Sequence, residues 1–378
     1  MKRNLLIALI LAMSLPLLGN PVDETTAKQL AQNFWKENNI MGVRGDKIFK
    51  KKMGNARFVN VAPQCGYSEF FIFNNEDGKG FVIISADDCV TPILAYSYDN
   101  NFAAENLPPN LKCWLDGYAE QIRMAVEMRV TATEGIRAEW NCLRHGKNLP
   151  IKSETSIDPL ITTHWDQNYP YNSQCPADPT NINTPAYGHA YAGCVATAMA
   201  QIMKFWAYPE HGTGSHSYVP EQHPEYGTQY ADFSSATYQW SSMPNNSSNN
   251  AIAELLYDCG VSVEMNYGPN VSTAYLISYN GQLEYCAENA LKNYFGYKSS
   301  LHGIQRSQYE STWIETIKNE LNHYRPILYS GIDPNPNENV GHAFICDGYD
   351  NYNFFHFNFG WGEDRDCWCL VDYIIPNY

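Results

Sequence analysis

The run Gly193-Cys194-Val195-Ala196-Thr197-Ala198-Met199-Ala200-Gln201-Ile202-Met203-Lys204-Phe205-Trp206 sets a cysteine behind a glycine, at the head of a helix-compatible segment that is apolar nearly all round. A helix of that composition is buried. At its first turn, free backbone N–H groups and the positive end of the helix dipole favour a thiolate, so the position suits a nucleophile. With a protonated histidine beside it, such a thiol titrates at about 3.5–7.5 instead of about 8.5 and attacks carbonyls at neutral pH. Cysteine is also among the most frequently buried residues, so position alone does not separate a nucleophile from a structural thiol.

A partner comes from the C-terminal segment. Gly341-His342-Ala343-Phe344-Ile345-Cys346-Asp347, the turn-rich Gly348-Tyr349-Asp350-Asn351-Tyr352, and Phe354-Phe355-His356-Phe357-Asn358-Phe359 read as a β-hairpin. With its loop centred on Asp350, His342 falls opposite Asn358, Cβ to Cβ about 5 Å. The Asn358 amide oxygen then holds one imidazole nitrogen while the other faces Cys194, the nucleophile–base–orienter arrangement. Asp347 is the rival orienter, but its odd spacing from His342 sends it to the opposite strand face. His356 falls opposite Phe344 and reads as a packed or edge histidine, and His189 as a loop residue.

Other chemistries find little support. Cys367-x-Cys369 has no second pair at ligand spacing, and neither a His-Glu-x-x-His nor a Gly-x-Ser-x-Gly segment nor a phosphate-binding glycine loop occurs. No metal and no cofactor is expected. Lys and Arg total 25 against 40 Asp and Glu, with no basic run, which argues against a nucleic-acid partner.

These residues need elements to position them. The length, 378 residues, suits two domains. Met1-Lys2-Arg3 and the interrupted apolar run Leu5 to Leu18 read as a cleaved export signal over residues 1–20, too short to span a bilayer. The mature protein is expected to be secreted or periplasmic, with no membrane association after signal removal. In that oxidising setting an odd count of 11 Cys leaves one unpaired, and setting Cys194 aside leaves four before residue 150 and six after. Buried free thiols give the same count, and no disulfide is assigned.

Ala27, Leu30, Ala31, Phe34 and Trp35 recur at helical spacing behind Thr25 and Thr26, which serve as capping residues. Glu69 to Phe73 and Phe81 to Ser85 read as a hairpin, and Leu111, Trp114, Leu115, Tyr118, Ile122 and Ala125 share one helix face. Residues 131–158 read as an exposed connection. Beyond it come the Cys194 helix, helical stretches near 251–258, 282–295 and 310–323, and strands from Pro326 onward. Helices first and strands afterwards give an α+β class with the two segregated.

The segment Ala192 to Lys204 with Tyr208-Pro209, together with Val340-Gly341-His342-Ala343-Phe344 and Phe357-Asn358-Phe359-Gly360-Trp361-Gly362, resembles the streptopain family of papain-like bacterial cysteine peptidases. Gly80 to Asp88 and Pro92 to Ser97 are similar to that family's pro-domain. The resemblance implies a secreted zymogen: a signal at 1–20, an inhibitory pro-domain at 21–147 and a papain-like endopeptidase at 148–378. Protein or peptide substrates are its partners, and its own pro-domain is an intramolecular inhibitor. It also implies Cys194 as nucleophile, His342 as base, Asn358 as orienter and Gln167 as the oxyanion-stabilising glutamine. Trp361, Phe359 and Gly341 are the implied cleft residues. Phe359 stands where the family usually has Trp, and Glu363 where Gly is common. Two other readings use the same residues, a Cys-His acyltransferase or amidase and a catalytically inactive binding homologue.

Overall fold

The computed structural model describes residues 19–37, 39–44, 47–52, 56–105, 107, 109–332, 341–362, 365–372 and 374–375. Most of the expected export signal, and the motif positions Val340 and Glu363, lie outside them.

The first element, α1 (Glu24–Glu37), buries Ala27, Leu30, Ala31, Phe34 and Trp35, the stripe its periodicity predicts. Its cap is Asp23 rather than Thr25 or Thr26: the Asp23 carboxylate accepts from the Thr26 N–H at 2.8 Å and from the Thr26 hydroxyl. A two-stranded ribbon, β1 (Asn39–Arg44) and β2 (Lys47–Lys52), follows. Then come β3 (Phe58–Asn60), β4 (Phe70–Asn75), β5 (Phe81–Ser85) and β6 (Ile93–Ser97). β4 and β5 form the expected hairpin, with Phe73 opposite Val82. β5 and β6 are buried at every position, hence their continuous apolar runs.

α2 (Pro109–Glu127) turns Leu111, Leu115, Tyr118, Ile122 and Ala125 into the core. A second helix, α3 (Glu134–Arg144), then occupies the middle of the stretch expected to be an unstructured connection. Thr133 caps it through Ile136 N–H, and Trp140 and Leu143 are buried, the Trp140 indole donating to Val90 O at 2.8 Å. Polar residues between these apolar positions hide the short amphipathic period.

The rest of the chain supplies α4 (Cys194–Trp206), the ribbon β7 (Ser215–Tyr218) and β8 (Gln229–Asp232), α5 (Asn250–Ser262), α6 (Ala287–Asn293) and α7 (Trp313–Asn322). β9 (Ile327–Ile332), β10 (Gly341–Tyr349), β11 (Phe354–Asn358) and β12 (Cys367–Leu370) complete it. α6 is shorter than its period suggests, because Cys286 is extended (φ −157°, ψ 163°) and serves as its cap, so the helix starts only at Ala287.

One antiparallel sheet joins the two halves, in the order β3-β4-β5-β6-β12-β11-β10-β9. The seam is β6 against β12, with Tyr96 opposite Trp368 and Ala95 opposite Cys369. Tyr118 of α2 strengthens it by bonding across to Leu370 O at 2.8 Å, and Arg365 reaches back to Ala103 O at 3.0 Å. Residues 152–160 already run along the second half, Ile157 exchanging bonds with Tyr349 and Leu160 N–H donating to Asp347 O. Cys367 and Cys369 are free thiols lying 3.3 Å apart at sulfur, and Cys194 is likewise a free thiol.

Candidate active site

α4 is buried from Cys194 to Met203, wedged between α5 and the sheet. Gly193 caps it at φ +90°, where an added Cβ meets the Met265 side chain at 2.7 Å, so glycine is required by both backbone and space. Cys194 is thereby fixed as the first helical residue.

The Cys194 sulfur accepts from the backbone N–H of Ala343 at 3.4 Å. Burial pushes its thiol up from the ordinary value, while the N–H groups of Ala343, Val195 and Cys194 itself pull down without prevailing. The expected lowering is therefore absent in this state: helix-end donors alone do not repay desolvation. Ala343 packs with Cys194 and Val195, whereas Phe344 faces the opposite side and meets Trp114 of α2 with ring centroids 5.8 Å apart. β10 pairs regularly with β9 here, His342 opposite Gly331 and Phe344 opposite Tyr329. Strand alternation thus puts His342, which is buried, on the α2 side together with Phe344, away from the Cys194 face. The structure brings the backbone N–H of the residue after His342 to the sulfur, and strand alternation places His342 on the face of β10 that Phe344 shares.

The predicted hairpin register is corrected. The hairpin turns about Tyr352 rather than Asp350, since Tyr349 pairs with Phe355, and a bulge between Cys346 and Gly348 alters the register by one residue, so Asn358 lies opposite Ile345 and His356 opposite Gly348. Asn358 is buried, and its Oδ1 accepts from Gln201 Nε2 at 3.0 Å and from Gly360 N–H at 3.1 Å, while its Nδ2 donates to Thr163 O at 2.9 Å. The same bulge overturns the reading of His356 as lacking a polar neighbour. Its Nδ1 lies 2.6 Å from the buried Asp347 carboxylate, which also accepts from Ile161 N–H at 2.8 Å. Burial lowers the imidazole pKa, but Asp347, with help from Asp366 and Asp99, leaves it raised overall. His189 is a loop residue, its Nδ1 against Cys175 O at 2.9 Å.

Gln167 is buried near the head of α4: its carbonyl accepts from Ala192 N–H at 3.1 Å and its Nε2 reaches Gly360 O at 3.4 Å. Asp166, whose carboxyl burial raises, accepts from the N–H of Gln167 and Asn168 and shapes this turn. Trp361 packs edge-on against Tyr191 at 6.3 Å, and Gly362 N–H donates to Trp165 O at 3.2 Å. Phe359 is fully buried against Phe344 and Phe357, and its N–H donates to Asp366 Oδ1 at 3.1 Å. Gly341 opens β10 at an exposed position.

Gln201 carries no role in the sequence reading. A signal existed: Thr197 and Gln201 are the polar residues on a helix otherwise apolar from Val195 to Met203, and buried polar groups are paired. Thr197 is spent locally, its hydroxyl donating to Gly193 O at 3.0 Å, whereas Gln201 bridges distant segments.

With this geometry in hand, the comparisons with known proteins are specific. The model of the peptidase C10 family matches residues 165–369, and that of the Spi protease inhibitor matches residues 19–122. Streptopain from Streptococcus pyogenes is 31% identical, the match covering 97% of this chain and 91% of streptopain. The thiol protease/hemagglutinin PrtT of Porphyromonas gingivalis is also 31% identical over 96% of this chain, which spans only 40% of that protein's length. Among solved structures, a prointerpain A fragment from Prevotella intermedia superposes with TM-score 0.66 at 30% identity, covering 85% of this chain and 93% of that one. Active interpain A gives TM-score 0.51 at 33% identity over 58% of this chain and 88% of that one.

Proposed function

The chain belongs to the peptidase C10 family of cysteine peptidases and carries a pro-domain of the Spi-inhibitor type, and on that premise we propose that it is an exported endopeptidase precursor with Cys194 as nucleophile. The observation that carries the assignment is the Cys194 sulfur at the head of buried α4, held 3.4 Å from the N–H of the residue after His342.

In the released enzyme, His342 takes the thiol proton and the thiolate attacks a peptide carbonyl. The oxyanion forms between the Cys194 N–H and the Gln167 amide, the role for which Gln167 lies beside the helix start. The imidazolium then protonates the leaving amine as the C–N bond breaks. Water, deprotonated by His342, attacks the thioester and restores the thiol. Asn358 orients the imidazole.

The precursor is held off this path. Burial holds the Cys194 thiol up, against formation of the thiolate, and Trp114 packed on Phe344 and Phe357 fixes the face of β10 that carries His342. Residues 21–147 act as the intramolecular inhibitor, and processing falls between about 145 and 158, where Lys147 and Lys152 are themselves exposed. The test is Cys194→Ala: it abolishes both hydrolysis of an unfolded protein and self-processing, and full activity in this variant refutes the assignment.

A further inference from the structure

Gln201 sits on α4 seven residues after Cys194, two turns down the same helix, and is 1% exposed. Its Oε1 accepts from the Thr163 hydroxyl at 2.8 Å and from Trp165 N–H at 3.3 Å, and its Nε2 donates to Asn358 Oδ1 at 3.0 Å. Two of the surrounding donors are backbone N–H groups whose role has no ambiguity. Trp165 N–H requires an oxygen on Gln201, and Gly360 N–H requires an oxygen on Asn358 at 3.1 Å. The orientation of both carboxamides is therefore fixed by the fold.

We infer that Gln201 is a positioning residue for the reaction, a buried clamp that fixes the Asn358 carboxamide and the 163–167 segment bearing Gln167 onto the helix that presents Cys194. The three segments come from distant parts of the chain. α4 gives the nucleophile, β11 ends in the orienter, and the loop at 163–167 gives the oxyanion donor. One amide touches all three. Asn358 Nδ2 also lies 3.4 Å from Gln201 Oε1, so when His342 swings in to use the Asn358 oxygen, the amide nitrogen keeps a partner on Gln201 and the oxygen stays aimed. Without Gln201, the Thr163 hydroxyl and Trp165 N–H lose their acceptor, and the Asn358 carboxamide is left with only Gly360 N–H and Thr163 O to hold it, so it is fixed less firmly. Misplacement of this order costs up to about a hundredfold in rate even when the altered residue never touches substrate.

The inference rests on the proposed roles of Cys194, His342 and Asn358, and the experiment separates the two. Full-length Gln201→Met and Gln201→Glu precursors are processed with added wild-type enzyme, and kcat, KM and the pH profile of Cys194 alkylation by iodoacetamide are measured beside Cys194→Ala. For Gln201→Met, kcat falls about 10- to 100-fold with KM within about twofold, and the alkylation midpoint moves to higher pH. Gln201→Glu keeps the acceptor and loses the donor when ionised, so its activity recovers as pH falls and the buried acid regains a proton, a descending limb that the wild type lacks. Should the Met variant fail to fold, Gln201→Glu and Thr163→Val carry the test, the latter with a smaller loss of kcat. Unchanged kcat and alkylation profiles in the variants, with Cys194→Ala inactive, overturn the role of Gln201. An active Cys194→Ala overturns the parent assignment instead.

Discussion

Trp114 of the N-terminal half stands edge-on to Phe344, ring centroids 5.8 Å apart and two residues along the strand from His342. It also contacts Phe357 at 5.0 Å. A single indole thus packs on the Phe344 face of β10 and on β11, which makes it the anchor that the proposed inhibition would depend on. Trp114→Ala should destabilise docking as loss of a central aromatic anchor does, by about 2 kcal/mol or more. The expected outcome is activity appearing at least about tenfold faster from the full-length precursor, followed with a fluorogenic peptide; an unchanged lag contradicts this role.

pH should act on the same joint through Asp350. The Tyr96 hydroxyl donates to its Oδ2 at 2.7 Å across the seam, and burial pushes the carboxyl up to about 6 despite the pull of Tyr96, Phe354 N–H, Tyr352 N–H and Lys152. Once the first half departs and water reaches the group, its pKa returns toward about 3.9. The docked form therefore holds a proton that the undocked form has lost, between about pH 4 and 6. Docking is strongest below that window, weakens as pH rises through it, and levels off above. Activation rates measured from pH 4 to 7 should rise across this range in the wild type, and Asp350→Asn should flatten the rise.

Phe359 fits its site closely, fully buried with Phe344 at 5.2 Å and Phe357 at 6.0 Å. Restoring the family's usual tryptophan adds volume to a filled space, which costs about 1–3 kcal/mol. Phe359→Trp is predicted to lower the melting temperature while kcat of the surviving enzyme stays within about threefold. A variant more stable than the wild type would show that the pocket has room.

Gly193→Ala tests the helix start. The new methyl group meets Met265 at 2.7 Å and the residue must hold φ +90°. The predicted result is a loss of at least about 2 kcal/mol in stability by chemical denaturation and a larger fractional loss of kcat, since the Cys194 N–H moves with the cap.

Local pattern carried much of this fold. The apolar stripe of α1, the β4–β5 hairpin and the buried run of α4 follow from period and composition. The streptopain-type segments around Cys194, His342 and Asn358 pointed to the family that the C10 match establishes. What escaped has physical causes. The hairpin turns about Tyr352 rather than Asp350, and a bulge, one residue of irregular backbone with no strong side-chain signature, alters the register by one more residue; together they put Asn358 opposite Ile345 instead of His342, and the bulge residue Asp347 partners His356. α3 was missed because its apolar residues Ile136, Trp140 and Leu143 are spread among charges. The seam between β6 and β12 joins residues more than 270 positions apart, which no local pattern encodes.

The central claim is that release of residues 21–147 lets His342 meet Cys194. Iodoacetamide labelling of Cys194 from pH 4 to 9, followed by peptide mass spectrometry on the intact precursor and on the processed enzyme, tests it most directly. The account predicts almost no labelling of the precursor at pH 5, ready labelling of the processed form at that pH, and loss of the acid-range reactivity in processed His342→Ala. Identical profiles before and after processing, or acid-range labelling that survives His342→Ala, would contradict it.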